Sequence, residues 1–338
     1  MRRAGVRGEA IRFAVRSPAP RSLWPSSLTN SIISWDQRPC DVGVIQTDDL
    51  TVDRNATAAA LERWAAVYAS QVSEEAARLR EAGTDLVVGD VPPLAFAAAA
   101  AAGIPSVAFA NFSWDWIYEH MGLGDAASDA ALDYAGADTL VALTPNAPMP
   151  AFGRVTRVGL VGRASAFDRE TARRQLGARA ADCDSLALIA FRSDAGTLIE
   201  LPPPRDGIIY ACVAGSESPS WHGRRDLELL PAGASFIDAV AAADVVVAKP
   251  GYGIIGDAGR AGTRLLYAAR SGFPEDPVLL SWLRQRLGTR EIDARSLANG
   301  DWGPDLEELL ARPAPKPDGE EALMEACEIV ESLSLIHI

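Results

Sequence analysis

The segment VVVAKPGYGIIGDAGRAG (245–262) carries the clearest fold signal in the chain: a run of valines ends at Lys249, and glycine then recurs at 251, 253, 256, 259 and 262. A buried strand, a glycine-rich turn and a helix form the basic unit of parallel α/β folds. Such a turn gathers backbone N–H groups at the positive end of the helix dipole, which suits a phosphate group. A second interpretation remains open, in which the glycines only allow close packing at a tight turn.

Short valine- and isoleucine-rich runs alternate with longer alanine-rich segments over the whole chain. This alternation predicts repeated βαβ units and parallel sheets. Strands are predicted at 11–16, 42–46, 85–88, 106–110, 139–143, 186–191, 207–213, 245–248 and 265–268. Helices are predicted at 57–82, 93–102, 166–176, 236–242, 276–287, 306–311 and 320–332.

Three prolines within 144–154 indicate a connection between two doubly wound, Rossmann-like domains, predicted at 1–150 and 151–332. Ligands of such sheets bind beyond the carboxyl ends of the strands, so the cleft between the domains is the expected site. The first domain lacks the usual opening strand with its glycine turn, and we expect that strand to be missing. The final residues LSLIHI (333–338) match the translation of a common sequencing-library adaptor and are expected to be an artefactual tail.

Composition argues against several classes of protein. The 338 residues carry a formal net charge of −13, which disfavours non-specific binding to nucleic acid or to anionic membranes. A local basic pocket and peripheral contact with a membrane remain compatible with it, but no apolar run is long enough for a membrane span. The four cysteines are far apart and only three histidines are present, so we expect no zinc site, no disulfide framework and a cytoplasmic location.

Several stretches resemble the glycosyltransferase-like N-terminal half of plant L-arabinokinases and its bacterial stand-alone relatives. They are QTDDLTVDR (46–54), DLVVGDVPPLAFAAAAAAGIPSVAFANFSWDWIYEHM (85–121), PMPAF (148–152), KPGYGIIGDA (249–258) and FPEDPVL (273–279). A more distant resemblance is to the peptidoglycan N-acetylglucosaminyltransferase type. These resemblances imply a GT-B architecture, in which the second domain binds a nucleotide sugar and the first domain binds an acceptor.

The resemblance also implies roles for individual residues of the second domain. The backbone of 251–253 is expected to approach the donor diphosphate, with Lys249 and Tyr252 beside it. Asp257 is expected to face the ribose hydroxyls, and Glu275 and Asp276 are expected to bind the sugar hydroxyls, since carboxylates accept strong hydrogen bonds.

The chain departs from these relatives in two loops. Their glycine-rich loop after the first strand of the second domain is FRSDAG (191–196) here, where Arg192 can pair with phosphate but leaves less room for the backbone to approach it. The GHGxGH-like turn of the first domain is absent, and with it a histidine that the family uses near the acceptor.

Two residues of the first domain are candidates for acid–base chemistry. Asp90 follows a predicted strand and can act as the general base that takes the proton of the acceptor hydroxyl. The alternative interpretation of Asp90 is a helix N-cap before the two prolines. His120 is a second candidate base, with a surface histidine as the alternative.

Aromatic and polar residues in NFSWDWIY (111–118) are candidates for the acceptor side of the cleft. Trp114 can form a wall for a flat acceptor face, with Asn111 and Asp115 beside it. The alternative is ordinary packing in the core or between domains. Three nearby acids, Asp48, Asp49 and Asp53, are expected to face solvent or cap a helix rather than bind metal.

Together these features favour a nucleotide-sugar-dependent glycosyltransferase that transfers a hexosyl-type group, with a UDP-sugar as co-substrate and with no cofactor or metal. An alternative is a catalytically inactive nucleotide-sugar-binding or regulatory module, favoured by the missing glycine turn of the first domain and by the altered loop at 191–196. A third hypothesis, a sugar-nucleotide epimerase, requires more acid–base side chains in the cleft than the sequence offers.

Overall fold

The computed structural model describes residues 11–21, 30–191, 199–230 and 233–336. The first half contains a parallel pair of strands, an antiparallel hairpin and a four-stranded parallel sheet in the order β5-β6-β7-β8. Its strands are β1 (Phe13–Arg16), β2 (Ile32–Asp36), β3 (Gln46–Asp48), β4 (Thr51–Val52), β5 (Val87–Gly89), β6 (Ser106–Ala110), β7 (Thr139–Thr144) and β8 (Val155–Leu160). Its helices are α1 (Arg54–Glu81), α2 (Pro93–Ala102), α3 (Trp114–His120) and α4 (Gly124–Ala135).

The second half is a six-stranded parallel sheet flanked by helices. Its strands are β9 (Ser185–Ala190), β10 (Ile208–Val213), β11 (Leu227–Leu230), β12 (Val245–Ala248), β13 (Arg264–Ala268) and β14 (Thr289–Ile292). Its helices are α5 (Arg169–Leu176), α6 (Ala178–Asp182), α7 (Phe236–Ala242), α8 (Tyr252–Ala261), α9 (Asp276–Arg284), α10 (Ala294–Asn299), α11 (Gly303–Ala311) and α12 (Glu320–Ile336). The parallel α/β architecture predicted from the sequence is therefore confirmed.

The strand order of the second sheet fixes where a ligand can bind. The order β11-β10-β9-β12-β13-β14 is that of a doubly wound dinucleotide-binding sheet, with its reversal point between β9 and β12. All four residues of β12 are buried, because apolar clusters cover both faces of the sheet. The carboxyl end of β12, where Lys249 begins the turn into α8, therefore lies at the expected ligand crevice.

The first sheet extends beyond the predicted connection. Strand β8 pairs with β7, so the passage to the second half follows Leu160 rather than lying at 144–154. Helix α12 returns to this sheet, where Ala326 packs with Val107, Val141 and Val158. The two ends of the second half are therefore anchored on the first.

Some local predictions were wrong. Residues 42–45 form no strand, and Gln46 instead begins the hairpin of β3 and β4. Strands β2, β4, β8, β11 and β14 were not predicted from the sequence. Helix α12 continues to Ile336, past its predicted end at 332.

Candidate functional site

The N-terminus of helix α8 presents backbone donors at the crevice of the second sheet. Its N-cap is Gly251, which has no side chain to cap the helix, and its first turn has no acidic residue. The first backbone hydrogen bond of the helix runs from Ile255 N to Gly251 O, at 3.0 Å. The N–H groups of the preceding first turn therefore have no partner within the helix, which is the arrangement that binds anions at helix N-termini.

The glycines of the segment 245–262 serve different purposes. A Cβ atom added at Gly251 or Gly253 would meet no atom within 4 Å, so this part of the backbone is open. A Cβ at Gly256 would lie 2.3 Å from Val161 O, and one at Gly259 would lie 2.3 Å from a Leu160 methyl carbon. The close-packing interpretation thus applies to Gly256 and Gly259, which allow the end of β8 and the chain after it to cross the helix closely. Gly251 and Gly253 leave the backbone open at the start of the helix, and the phosphate interpretation of these two glycines stays a prediction.

Lys249 forms an unexpected ion pair between the two halves. Its Nζ donates to Asp49 Oδ1 at 2.5 Å, and the Asp49 side chain is fully buried. The prediction that Asp49 faces solvent or caps a helix was wrong, whereas Asp53 does cap α1 by accepting from Ala56 N. Asp48 accepts from Leu50 N at 2.7 Å and closes the turn of the hairpin.

Stacked aromatic rings continue the contact between the halves. Tyr252 stacks on Phe112, with ring centroids 5.7 Å apart and planes 17° apart. Phe112 meets Trp114 edge-on at 5.0 Å, and Trp114 stacks on Tyr118 at 5.5 Å. Trp114 therefore contributes to a wall between the halves, and the packing and binding interpretations of this residue both remain.

Asp90 lies at the carboxyl end of β5, where solvent reaches its side chain. Its carboxylate has no hydrogen-bond partner among the described residues, and the N-cap of α2 is Pro92 rather than Asp90. Although its side chain is partly exposed, neighbouring protein atoms reduce the hydration of the Asp90 carboxyl and raise its pKa, and the negative charge of Asp41 raises it further. A carboxylate with a raised pKa beside a cleft suits a general base.

The backbone next to Asp90 is strained. Val91 has φ of 77°, in a region that β-branched residues rarely adopt, and its carbonyl accepts from Tyr134 Oη at 2.6 Å. Strain of this kind costs about 1–3 kcal/mol and persists only where the surrounding structure enforces it. The turn that orients Asp90 is therefore held in place.

Asp41 is a cleft residue that the sequence did not indicate. Its Oδ2 accepts from Trp114 Nε1 at 2.8 Å, which ties the loop after β2 to the aromatic wall. Burial raises the pKa of Asp41, and the Trp114 hydrogen bond offsets part of that rise. No sequence signal distinguishes Asp41 from other loop acids, because its link to Trp114 spans 73 positions.

Asp257 is placed differently from its expected role. It is buried on α8, and its carboxylate accepts from the backbone N of Arg163 at 2.9 Å and from Arg163 Nη2 at 2.6 Å. This contact fastens the chain that follows β8 to α8. The expected contact of Asp257 with ribose hydroxyls is not supported, since both carboxylate oxygens are already bonded to Arg163.

Glu275 and Asp276 are held by a buried arginine. Asp276 accepts from Arg270 N and from Arg270 Nε, each at 2.7 Å, and Arg270 Nη2 lies 3.4 Å from Glu275 Oε1. Burial raises the pKa of both carboxyls, and Arg270 lowers it. Asp276 therefore orders the turn after β13 through its bonds to Arg270, whereas it was expected to contact sugar hydroxyls. Glu275 forms only the longer bond to Arg270 among the described contacts.

The remaining predicted residues are placed as follows. Asn111 donates to Leu143 O and Pro145 O, both at 2.8 Å, and so joins the loops after β6 and β7 rather than standing free. Asp115 is buried in α3, and one of its carboxylate oxygens has no hydrogen-bond partner among the described residues. His120 is exposed and binds Trp116 O through Nδ1 at 2.8 Å, which matches the surface alternative. Arg192 lies outside the described residues.

No group of three or more His, Cys, Asp or Glu among the described residues is arranged to hold a metal ion. In the same part of the chain, no helix combines the length and the apolar character that crossing a membrane requires.

Comparisons with known proteins identify the fold. The chain is 33% identical over 310 residues to L-arabinokinase from Arabidopsis thaliana, a match that covers 87% of this chain and 29% of that protein. It is similar in structure to a UDP-glucosyltransferase from Polygonum tinctorium, with a TM-score of 0.54, 15% identity and coverage of 96% and 92%. It is also similar to MurG from Acinetobacter baumannii, with a TM-score of 0.52, 13% identity and coverage of 90% and 87%. No protein-family model matches the chain. The predicted GT-B fold is confirmed.

Proposed function

The chain is a homologue of part of the plant L-arabinokinase and has the GT-B glycosyltransferase fold, and from this premise we propose that it transfers a hexosyl-type group from a nucleotide sugar to an acceptor hydroxyl. The observation that carries the proposal is the open, uncapped N-terminus of α8 at the reversal point of the second sheet. Because the chain spans 29% of its plant relative, the phosphoryl-transfer activity implied by that protein's name is not part of the proposal.

The proposed donor is a UDP-sugar, which acts as a co-substrate, and the reaction uses neither cofactor nor metal. The diphosphate lies against the first-turn N–H groups of α8, near Lys249, where a helix N-terminus and a cation stabilise its charge. A cytoplasmic setting is part of the proposal, because Cys40, Cys183, Cys212 and Cys327 are all free thiols.

In the proposed transfer step, the first half supplies the general base, Asp90. The acceptor oxygen forms a bond to the anomeric carbon, the bond from that carbon to the diphosphate oxygen breaks, and Asp90 takes the proton of the acceptor hydroxyl. The α8 N-terminus stabilises the negative charge that grows on the leaving diphosphate. Asp41 acts through Asp90, since its charge makes Asp90 a stronger base.

Donor binding is tested by titrating UDP and UDP-glucose while following the melting temperature. A ligand that binds only the folded state at about a hundred times its Kd stabilises that state by about 2.7 kcal/mol. We expect stabilisation of the wild type and none for Gly253→Glu, because the new carboxylate repels the diphosphate without a steric clash. Gly124→Glu, at the equally open first residue of α4, is the matched control and should respond like the wild type. If UDP raised the melting temperature of Gly253→Glu as much as that of the wild type, the diphosphate would not bind at the N-terminus of α8.

Replacement of Asp90 tests the assignment of the base. Asp90→Asn should lower kcat by about 10²–10⁴-fold, since a positioned general base contributes that much. The base must be ionised, and its pKa is raised, so wild-type activity should fall with decreasing pH earlier than an ordinary aspartate would cause. Asp41→Asn removes a charge that raises this pKa, so it should move the acid limb of the kcat/KM profile to lower pH. An acid limb that stays in place would show that Asp41 does not act on the base.

A second candidate function is a nucleotide-sugar-binding module without catalysis. It is favoured by the arginine contacts of Asp257 and Asp276, which occupy two carboxylates expected to bind the donor. The two functions differ in turnover: a transferase releases UDP from the UDP-sugar when an acceptor hydroxyl is present, whereas a module binds UDP-sugar without releasing UDP. Assays of UDP release with a panel of sugar and lipid alcohol acceptors separate the two.

A further inference from the structure

The hairpin of β3 and β4 belongs to the first half but docks on the second. The side chain of Leu50 packs against the apolar cluster of the second half, and Leu50 O accepts from Ser271 N at 2.8 Å. Thr51 and Ser271 also form a parallel β-bridge. The hairpin therefore spans the cleft as a strap, which we define as residues 46–52.

The docked strap places a carboxylate beside the proposed diphosphate site. Asp49 lies at the turn of the hairpin, has a fully buried side chain and contacts Lys249 Nζ at 2.5 Å. Lys249 is two residues before Gly251, the N-cap of the open helix. Lys249, the cation nearest to this helix N-terminus along the sequence, is thus paired with an anion of the same protein.

A carboxylate and a diphosphate compete for one ammonium group. At a distance of 2.5 Å, the negative charge of Asp49 neutralises the positive charge of Lys249. The charge of Asp49 also repels any other anion that approaches Lys249. The buried carboxylate gains nothing from water, so it leaves Lys249 only if the strap moves or a stronger anion replaces it. Strap docking and diphosphate binding therefore oppose each other.

We propose that Asp49 determines the affinity of the donor site, because the docked strap holds Asp49 on Lys249 and a nucleotide diphosphate must displace it. This inference rests on the proposed function, since it takes the N-terminus of α8 as the diphosphate site. It adds that the first half regulates access to that site through residues 46–52.

The first test measures UDP affinity by calorimetry in the full chain. Asp49→Asn keeps the shape of the side chain but removes its charge, and we expect UDP to bind about 5- to 100-fold more tightly, the usual size of coupling between two competing interactions. Glu62→Gln, on the exposed surface of α1, controls for the change in net charge and should bind UDP as the wild type does. Equal affinity of Asp49→Asn and Glu62→Gln would overturn the proposal.

The second test locks the strap. Residues paired across neighbouring strands lie about 4.8 Å apart, within reach of a disulfide, so Thr51→Cys with Ser271→Cys can fasten the strap reversibly. We expect the oxidised protein to bind UDP at least fivefold more weakly than the same protein after reduction. Equal binding by the oxidised and reduced forms would overturn the proposal, even if the donor site itself is correct.

The two proposals fail in different ways. If the wild type binds UDP and Gly253→Glu does not, the donor site stands whatever the strap variants do. If neither the wild type nor Asp49→Asn binds UDP, both the donor site and the role of Asp49 in it are refuted.

Discussion

Replacing Arg270 with methionine should lower the free energy of unfolding by about 3–5 kcal/mol, the cost of removing one partner from a buried ion pair. The Arg270 side chain is only 6% exposed, and it bonds Asp276 through Nε and through its backbone N. Its guanidinium carbon also lies 3.9 Å from the centre of the Phe273 ring. Methionine fills much of the same space but leaves Glu275 and Asp276 without their cation.

The loss should depend on pH with a definite sign. Burial already raises the pKa of Glu275 and Asp276, and Arg270 offsets part of that rise, so its removal raises both pKa values further. The folded variant then holds protons more firmly than the unfolded chain, and its stability falls as pH increases through the raised pKa values. The stability that Arg270→Met loses relative to the wild type should therefore be largest at pH about 7 and smaller at pH about 5.

Urea unfolding at both pH values measures this effect. Arg174→Met is the matched control, because Arg174 is exposed and bonds Thr171 and Glu170 on its own helix. An exposed i,i+4 pair such as Arg174–Glu170 is worth about 0.3–0.5 kcal/mol. A loss below about 1 kcal/mol for Arg270→Met would contradict this prediction. It would mean that water hydrates the carboxyls of Glu275 and Asp276 in the variant, so that their charges are no longer buried without a partner.

The same substitution at two glycines of α8 should have opposite effects. Gly256→Ala should destabilise the protein by about 1–3 kcal/mol, since the new Cβ would lie 2.3 Å from Val161 O and force the backbone apart. Gly253→Ala should stabilise it by about 0.5–1 kcal/mol, because alanine favours a helix and meets no atom within 4 Å.

Chemical denaturation of the two variants beside the wild type checks this pair of predictions. Each variant is the other's control, as both change glycine to alanine in one helix. A shift of the same sign in both would refute the division of the glycines into an open pair and a packed set.

Local patterns in the sequence predicted the parts of the fold that depend on neighbours along the chain. The valine run of β12 and the glycines at both ends of α8 lie within one segment, so the strand, turn and helix could be read from it. Apolar and polar periodicity depends on positions two to four residues apart, and it was sufficient for most strands and helices. Asp90 was placed correctly at the carboxyl end of a strand for the same reason.

The site could be predicted less well, because its contacts join distant residues. The Asp49–Lys249 pair spans 200 positions, and the Arg163–Asp257 pair spans 94. The acids near 48–53 were assigned to solvent or caps because nothing beside them in the chain reveals a buried cation. The resemblance to relatives suggested donor contacts for Asp257 and Asp276 but could not show that arginines of this chain already bind them.

What the order of residues establishes for this protein is a parallel α/β chain in which a buried strand, a glycine-rich turn and a helix follow one another within 245–262. Backbone propensity and burial periodicity are short-range properties, so they are visible in a sequence. Folding alone determines which glycines are covered and which carboxylates meet a cation, and it brings α12 back onto the first sheet. Packing and charge pairing act through space, between residues that the chain keeps far apart until the two halves meet.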